Sequence, residues 1–169
     1  MDPLRVGWET TWFFEMLDPG QFTPAKQTND LQVRQMTLPL PSFIKYLWCT
    51  VGEPWPWLDR AEWKDDQWQS VAEDPDMTFW VGYTEGTPVG YFELHQTKDS
   101  GVEILYFGLL PQFLGRGYGG HLLNAAIETA WAMETHRVWV HTCSRDGPAA
   151  VPNYKARGFV LYDEQVTTM

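Results

Sequence analysis

The sequence predicts an α/β (α+β) protein with a mixed, mostly antiparallel central sheet and about four flanking helices. Three observations carry this. Short β-rich runs alternate with amphipathic stretches of helical period along the chain. The runs 78–83 and 89–95 are joined by Glu85-Gly86, so they pair as an antiparallel hairpin. A strand–helix–strand unit across 104–143 demands a parallel pair with a right-handed crossover.

Residues 6–17 alternate loosely and are rich in aromatic side chains, which reads as a first strand ended by Asp18-Pro19-Gly20. A polar loop follows to Asp30. Leu31-Gln32-Val33-Arg34-Gln35-Met36 alternates as a second strand, broken by Leu38-Pro39-Leu40-Pro41. Ser42 is placed to cap a helix through Val51, with Phe43, Leu47 and Val51 on one face and Gly52 as its stop. Glu53-Pro54-Trp55-Pro56-Trp57 is a stiff connector. A second helix is expected over 59–72, with Ala61, Trp68 and Ala72 inward.

After the hairpin, Lys98-Asp99-Ser100-Gly101 turns the chain into the strand that holds Glu103. A glycine-rich bend at 115–120 opens a helix running to about Glu134. Its core stripe is Leu122, Leu123, Ala126, Ile127 and Ala130. Residues 137–143 form a β-rich run, 149–157 a short helix ended by Gly158, and 159–165 a last strand.

The length favours one domain over 1–169, and a hydrophobic content of 44% suits one sizeable core. Within it, 1–76 carries the N-terminal strands and helices, and 77–166 the remaining sheet and the glycine bend. No apolar run approaches the roughly 18 residues that span a membrane. Met1-Asp2-Pro3-Leu4-Arg5 lacks the pattern of a secretory signal. Cys49 and Cys143 imply no disulfide framework and suit a reducing cytoplasm. No metal is expected. A net charge of −10 argues against nucleic acid as a partner and suits a cationic or amine substrate.

Gly115-Arg116-Gly117-Tyr118-Gly119-Gly120 removes Cβ atoms where a backbone must approach a ligand closely. The helix N-terminus behind it offers N–H groups and a positive dipole end to phosphates, and Arg116 adds a mobile positive charge. The stretch fits G-x-G-x-x-G, the dinucleotide fingerprint, and also R/Q-x-x-G-x-G/A, a loop of acetyl-CoA-dependent acetyltransferases. A dinucleotide fold puts its fingerprint directly after the first strand, with an acid about 20 residues on. Here the motif lies two-thirds along the chain, and the next run ends in Thr142-Cys143.

From about residue 77 to 166 the chain resembles the GNAT superfamily of acetyl-CoA-dependent N-acetyltransferases. The match is nearest to the histone-acetylating branch. There, a strand of the form E-I-x-x-x-x-I leads to a loop of the form Q-V-R-G-Y-G-A-H-L. Here Glu103-Ile104 leads to Leu114-Gly115-Arg116-Gly117-Tyr118-Gly119-Gly120-His121-Leu122 at the same spacing. A second family signature, Y-x-x-x-G-F, stands as Tyr154-Lys155-Ala156-Arg157-Gly158-Phe159. Leu114 departs from the family, which has Gln or Arg at that position.

The resemblance implies that the parallel strand pair splays apart and that the acetyl-CoA arm sits in the gap. It implies cofactor contacts at Phe107, Leu109, Leu114, Gly115, Arg116, Gly117, Tyr118, Gly119, Gly120 and Asn153. The Leu109 N–H would be the oxyanion donor, and the Tyr154 phenol would serve the departing thiolate. Glu103 matches the base glutamate of that branch; Glu93, which breaks an apolar run beside His95, is a second base candidate. Trp55 and Trp57 are candidate walls for the acceptor, a small-molecule amine, near Asp59, Glu62, Asp65 and Asp66. The implied activity is direct acetyl transfer to a primary amine, and the family leaves room for a homodimer. An acyl-CoA-binding module without turnover is the alternative. A third reading makes Cys143 a nucleophile with His141 or His136.

Overall fold

Alternation along the strands sorts side chains onto two faces, and each face builds its own core. The computed structural model describes residues 7–27 and 30–168. Among these, seven strands form one sheet: β1 (Trp8–Met16), β2 (Gln32–Gln35), β3 (Met77–Thr84), β4 (Thr87–Thr97), β5 (Gly101–Leu109), β6 (Val138–Cys143) and β7 (Val160–Thr168). The helices are α1 (Pro41–Gly52), α2 (Asp65–Glu73), α3 (Tyr118–Ala132) and α4 (Ala150–Ala156). The strand order is β2-β3-β4-β5-β6-β1-β7, antiparallel throughout except for β5 and β6.

On one face, Phe14, Phe92, Leu94, Ile104 and Val140 of the sheet meet Leu122, Leu123, Ala126, Ile127 and Ala130 of α3 and Tyr154 of α4. On the other, Phe79, Val81 and Tyr91 meet Ile44, Leu47, Trp48 and Val51 of α1 and Trp68 and Ala72 of α2. Each large side chain so buried contributes about 1.5–3 kcal/mol.

The parallel pair is short. It spans only Val102↔Val138, Glu103↔Trp139 and Ile104↔Val140. Beyond Ile104 the strands separate, and a bulge explains why. Against β4, Ile104 pairs with Leu94 and Tyr106 with Glu93, which leaves Leu105 as an extra residue. A bulge bends its strand and raises the local twist. β5 therefore follows β4, while β6 stays with β1 as far as Thr11↔Cys143. Gly108 lets α1 sit close on this departing strand, since a Cβ there would stand 2.5 Å from Val51 Cγ1.

Several expectations need correction. The start of the first strand at residue 6, and the segment 1–5 before it, lie outside the described residues. β1 lies between β6 and β7, at the opposite end of the sheet from β2, a placement the sequence did not specify. α1 begins at Pro41 behind Leu40, and no side chain caps it; Ser42 is inside the first turn. A proline there loses nothing, because its missing N–H would have had no helical partner. Gly52 is the last helical residue rather than a stop beyond it. α2 begins at Asp65, not at 59, and Ala61 is exposed. Its signals lie later than expected: Lys64 N–H donates to Gln67 Oε1 at 3.0 Å, and Asp65 and Asp66 complement the helix dipole.

Candidate active site

Where β5 and β6 part, a cavity of about 430 Å³ opens. Its floor is β5 from Ile104 to Leu109, and one side is β6 from Val140 to Cys143. The connector residues Trp55, Pro56, Trp57, Leu58 and Asp59 form an outer wall, and Asn153 and Tyr154 of α4 another. Both sequence-expected acceptor residues, Trp55 and Trp57, thus face the same space as Phe107, Leu109, Leu114, Gly119, Asn153 and Tyr154.

Alternate residues of a strand present their main-chain groups to opposite neighbours. Leu110 N–H donates to Val89 O of β4 at 2.8 Å. The main-chain groups of Leu109 and Phe107 therefore turn the other way, into the fork, past the end of the ladder to β6. That edge can accept an extended, amide-bearing chain as an added strand.

The glycine bend sits at the mouth. Gly117, at φ 83°, is the N-cap of α3, a left-handed conformation that glycine adopts without steric cost. Tyr118, Gly119 and Gly120 form the first turn, and Gly119 and Leu114 reach the cavity wall. Gly115, Arg116, Gly117, Tyr118 and Gly120 stand outside that wall. Arg116 lies over the Phe113 ring at 5.5 Å.

Glu103 and His141 meet where the sheet divides. Glu103 Oε1 lies 2.9 Å from His141 Nδ1, and Glu103 is 7% exposed. His141 is the first residue of β6 beyond the parallel ladder and lines the cavity, whereas Glu103 stands behind it. The hydrogen bond to Glu103 holds the imidazole pKa above its usual 6.5. Burial opposes this, and the charges of Glu103, Asp59 and Asp146 assist it.

Tyr154 is buried with its ring edge-on to Phe107 and Phe159, at centroid separations of 6.4 and 5.9 Å. Burial, with a smaller contribution from the charge of Asp146, raises its phenol pKa well above 10. The hydroxyl is therefore protonated at physiological pH and able to donate. Asp146 is held in place by its neighbours: Oδ2 accepts from Thr142 Oγ1 at 2.5 Å and from Cys143 N–H at 2.9 Å. Its Oδ1 accepts from Trp57 Nε1 at 3.3 Å across the cavity. Tyr106 O–H donates to Asp59 Oδ2 at 2.8 Å on the outer wall.

Glu93 is not at this site. It is fully buried, and both its oxygens accept from Arg60: Nη1 at 2.9 Å and Nη2 at 3.0 Å. Tyr91 O–H donates to Oε2 at 2.7 Å. Enclosed by Arg60 and Tyr91 and absent from the cavity lining, Glu93 is out of reach of a ligand there, which corrects its reading as a base. Cys143 does line the cavity, but burial and then the Asp146 charge raise its thiol pKa, the opposite of what a nucleophile needs. His136 is exposed and stands before the start of β6, whereas Cys143 ends that strand.

Sequence reasoning placed Glu103 first and underrated His141, and it passed over Asp146 and Tyr106. His141 alternates correctly with Trp139, but its partner follows only from the register of the parallel pair. Asp146, three residues past the end of β6, carried the ordinary signal of an Asx residue closing a strand-to-helix loop.

The Acetyltransferase (GNAT) family profile matches residues 40–159. This chain belongs to the GNAT acetyltransferase family. The GNAT fold recurs in solved structures of low identity. A functionally unknown conserved protein from Staphylococcus epidermidis superposes at TM-score 0.70 and 16% identity, over 94% of this chain and 60% of its own. A GCN5-related N-acetyltransferase from Sphaerobacter thermophilus gives TM-score 0.70 and 17% identity, over 95% and 51%. An IAA acetyltransferase from Bacillus cereus gives 0.61 and 20%, over 79% of each chain. This GNAT chain thus spans little more than half the length of the first two. No curated protein sequence matches it. Among the described residues, no helix is long and apolar enough to cross a membrane.

Proposed function

We propose that this GNAT protein moves an acetyl group from acetyl-CoA to a primary amine on a small molecule, by direct transfer in a ternary complex. The observation that carries the reading is the His141–Glu103 pair at the fork, facing a cavity whose other side offers an unladdered strand edge and a helix N-terminus.

The residues present fit acetyl-CoA. The main-chain groups of Phe107 and Leu109 would pair with its amide-bearing arm, and the bend 115–120 with the first turn of α3 would hold its pyrophosphate. Bound there, it supplies an activated acyl carbonyl and a thiolate leaving group. An amine enters from the side of Trp55 and Trp57, whose faces beside Asp59 and Asp146 suit a cation. Neutral His141 takes the proton that the amine must lose, and Glu103 stabilises the imidazolium so formed. The Leu109 N–H faces the charge that develops on the carbonyl oxygen. The amine nitrogen bonds to the acyl carbon as the carbon–sulfur bond breaks, and the Tyr154 hydroxyl donates to the departing sulfur. No step requires a metal, nucleic acid or a membrane, and a cytoplasmic, reducing setting fits the two free thiols.

CoA release is the test, followed with a panel of primary amines and with His141→Gln beside wild type. Turnover by wild type that falls at least about a hundredfold in the variant is the expected result. Acetyl-CoA at 100 times its Kd should raise the unfolding temperature by about 5–10 °C. That shift with no CoA release from any amine would instead mark an acyl-CoA-binding module.

A further inference from the structure

The outer wall of the cavity is made by a segment with little structure of its own. Residues 53–64 join α1 to α2 without forming helix or strand. Their main-chain bonds are local: Trp55 and Trp57 N–H to Gly52 O, Ala61 to Leu58, Trp63 to Arg60. Yet Trp55, Trp57, Leu58 and Asp59 must face β6 and α4 across the cavity at a fixed distance for an acceptor to be gripped.

Among the described residues, three residue pairs distant in sequence tie the segment to the rest of the molecule through side-chain hydrogen bonds. Two are open to solvent: Tyr106 O–H donates to the exposed Asp59 at 2.8 Å, and Trp57 Nε1 donates to the half-buried Asp146 at 3.3 Å. The third is of another kind. Arg60 is 4% exposed and bidentate to the fully buried Glu93, whose position is itself fixed by Tyr91. Its guanidinium lies 4.6 Å from the Trp63 ring centre and 4.5 Å from that of Tyr106. Tyr106 in turn packs on Trp57 at 5.0 Å and bonds Asp59. A planar fork between two rings admits one orientation, which an ammonium would not impose.

We infer that Arg60, locked to Glu93 under the sheet and stacked on Tyr106, is a positioning residue that sets the acceptor wall of the cavity. It touches neither substrate. It holds Tyr106, and through Tyr106 it holds Trp57 and Asp59, so its effect falls on the amine and not on the CoA side of the fork. The role in amine binding rests on the proposed transfer reaction; the role in holding residues 53–64 does not.

Two variants test this. R60M/E93Q removes both charges together and leaves an acceptor for Tyr91. R60K keeps a cation but loses the fork, and it serves if the double variant fails to fold. Amide hydrogen exchange in peptides covering 53–64 should speed up about tenfold or more, with α3 and β5 peptides unchanged. The KM for the amine should rise about tenfold or more, while the KM for acetyl-CoA stays within about twofold. Unchanged exchange at 53–64 overturns the inference. So does a loss spread equally over the two substrates. If wild type acetylates no amine, the proposed reaction has failed, and exchange at 53–64 still decides whether Arg60 clamps the segment.

Discussion

Two buried glutamates stand on neighbouring strands on the same side of the sheet, and they have opposite fates. At Glu93, β4 has a strand on either side, β3 at Phe79 and β5 at Tyr106, and the partner is Arg60, a cation that never titrates. At Glu103, the ladder to β6 is ending, and the partner is His141, an imidazole whose pKa Glu103 raises and which faces a cavity. A carboxylate against a permanent cation in a closed place fastens. A carboxylate against a titratable ring at an opening can move protons. The difference lies less in the two glutamates than in the ladder, which is closed at one and forked at the other.

The comparison can be broken most sharply at the fork. His141→Gln should lower kcat/KM for the amine by about 10²–10⁴-fold with the fold intact, measured by CoA release. A variant with near wild-type turnover would remove the proton-transfer role. At the closed end the effect should appear in stability. Arg60→Met alone leaves a buried carboxylate unpaired and should cost about 3–5 kcal/mol. For a chain of this size that is a fall of about 6–20 °C in Tm by calorimetry. Tyr154→Phe keeps the packing on Phe107 and removes one hydrogen-bond donor, so a loss of about 10–100-fold in kcat is expected. The smallest effect concerns pH. His141 works as a base only when neutral, and Glu103 raises its pKa. Activity should therefore climb with pH through an inflection above 6.5. Glu103→Gln should move that inflection downward, because the group that favours imidazolium is gone. An upward or absent shift in the pH–rate profile would separate the two residues functionally.

Most of the sheet was legible in the sequence because its β-rich runs are bounded by turn residues. The hairpin at Glu85-Gly86 and the buried stripe of α3 follow from period and turn residues alone. The N-terminal edge of α2 was misplaced because its own start signals, Gln67 and the acids Asp65 and Asp66, lie later than the apolar spacing suggests. Glu93 and Glu103 both stood as base candidates, and only the tertiary partners, Arg60 for one and His141 for the other, tell their settings apart. The glycine bend and the Tyr154 segment were visible as motifs. His141 was named only as a partner for Cys143 and not as a base, because its pairing with Glu103 depends on a parallel register and on the bulge at Leu105, and neither leaves a local mark.

The place of β1 bears on how the molecule is assembled. Thr11 pairs with Cys143 and Trp8 with Thr168, so the strand nearest the start of the chain is ladder partner to the last two. Closing such loops costs entropy that local contacts do not, and topologies rich in distant pairings fold slowly. Pulse-labelled exchange during refolding should protect the β3–β4 hairpin before β1, and simultaneous protection would contradict this order. β6 has its long antiparallel partner only in β1, so one prong of the fork takes its final place late, after the two ends of the chain have met. On this order the cavity between β5 and β6 takes shape only once β1 has docked.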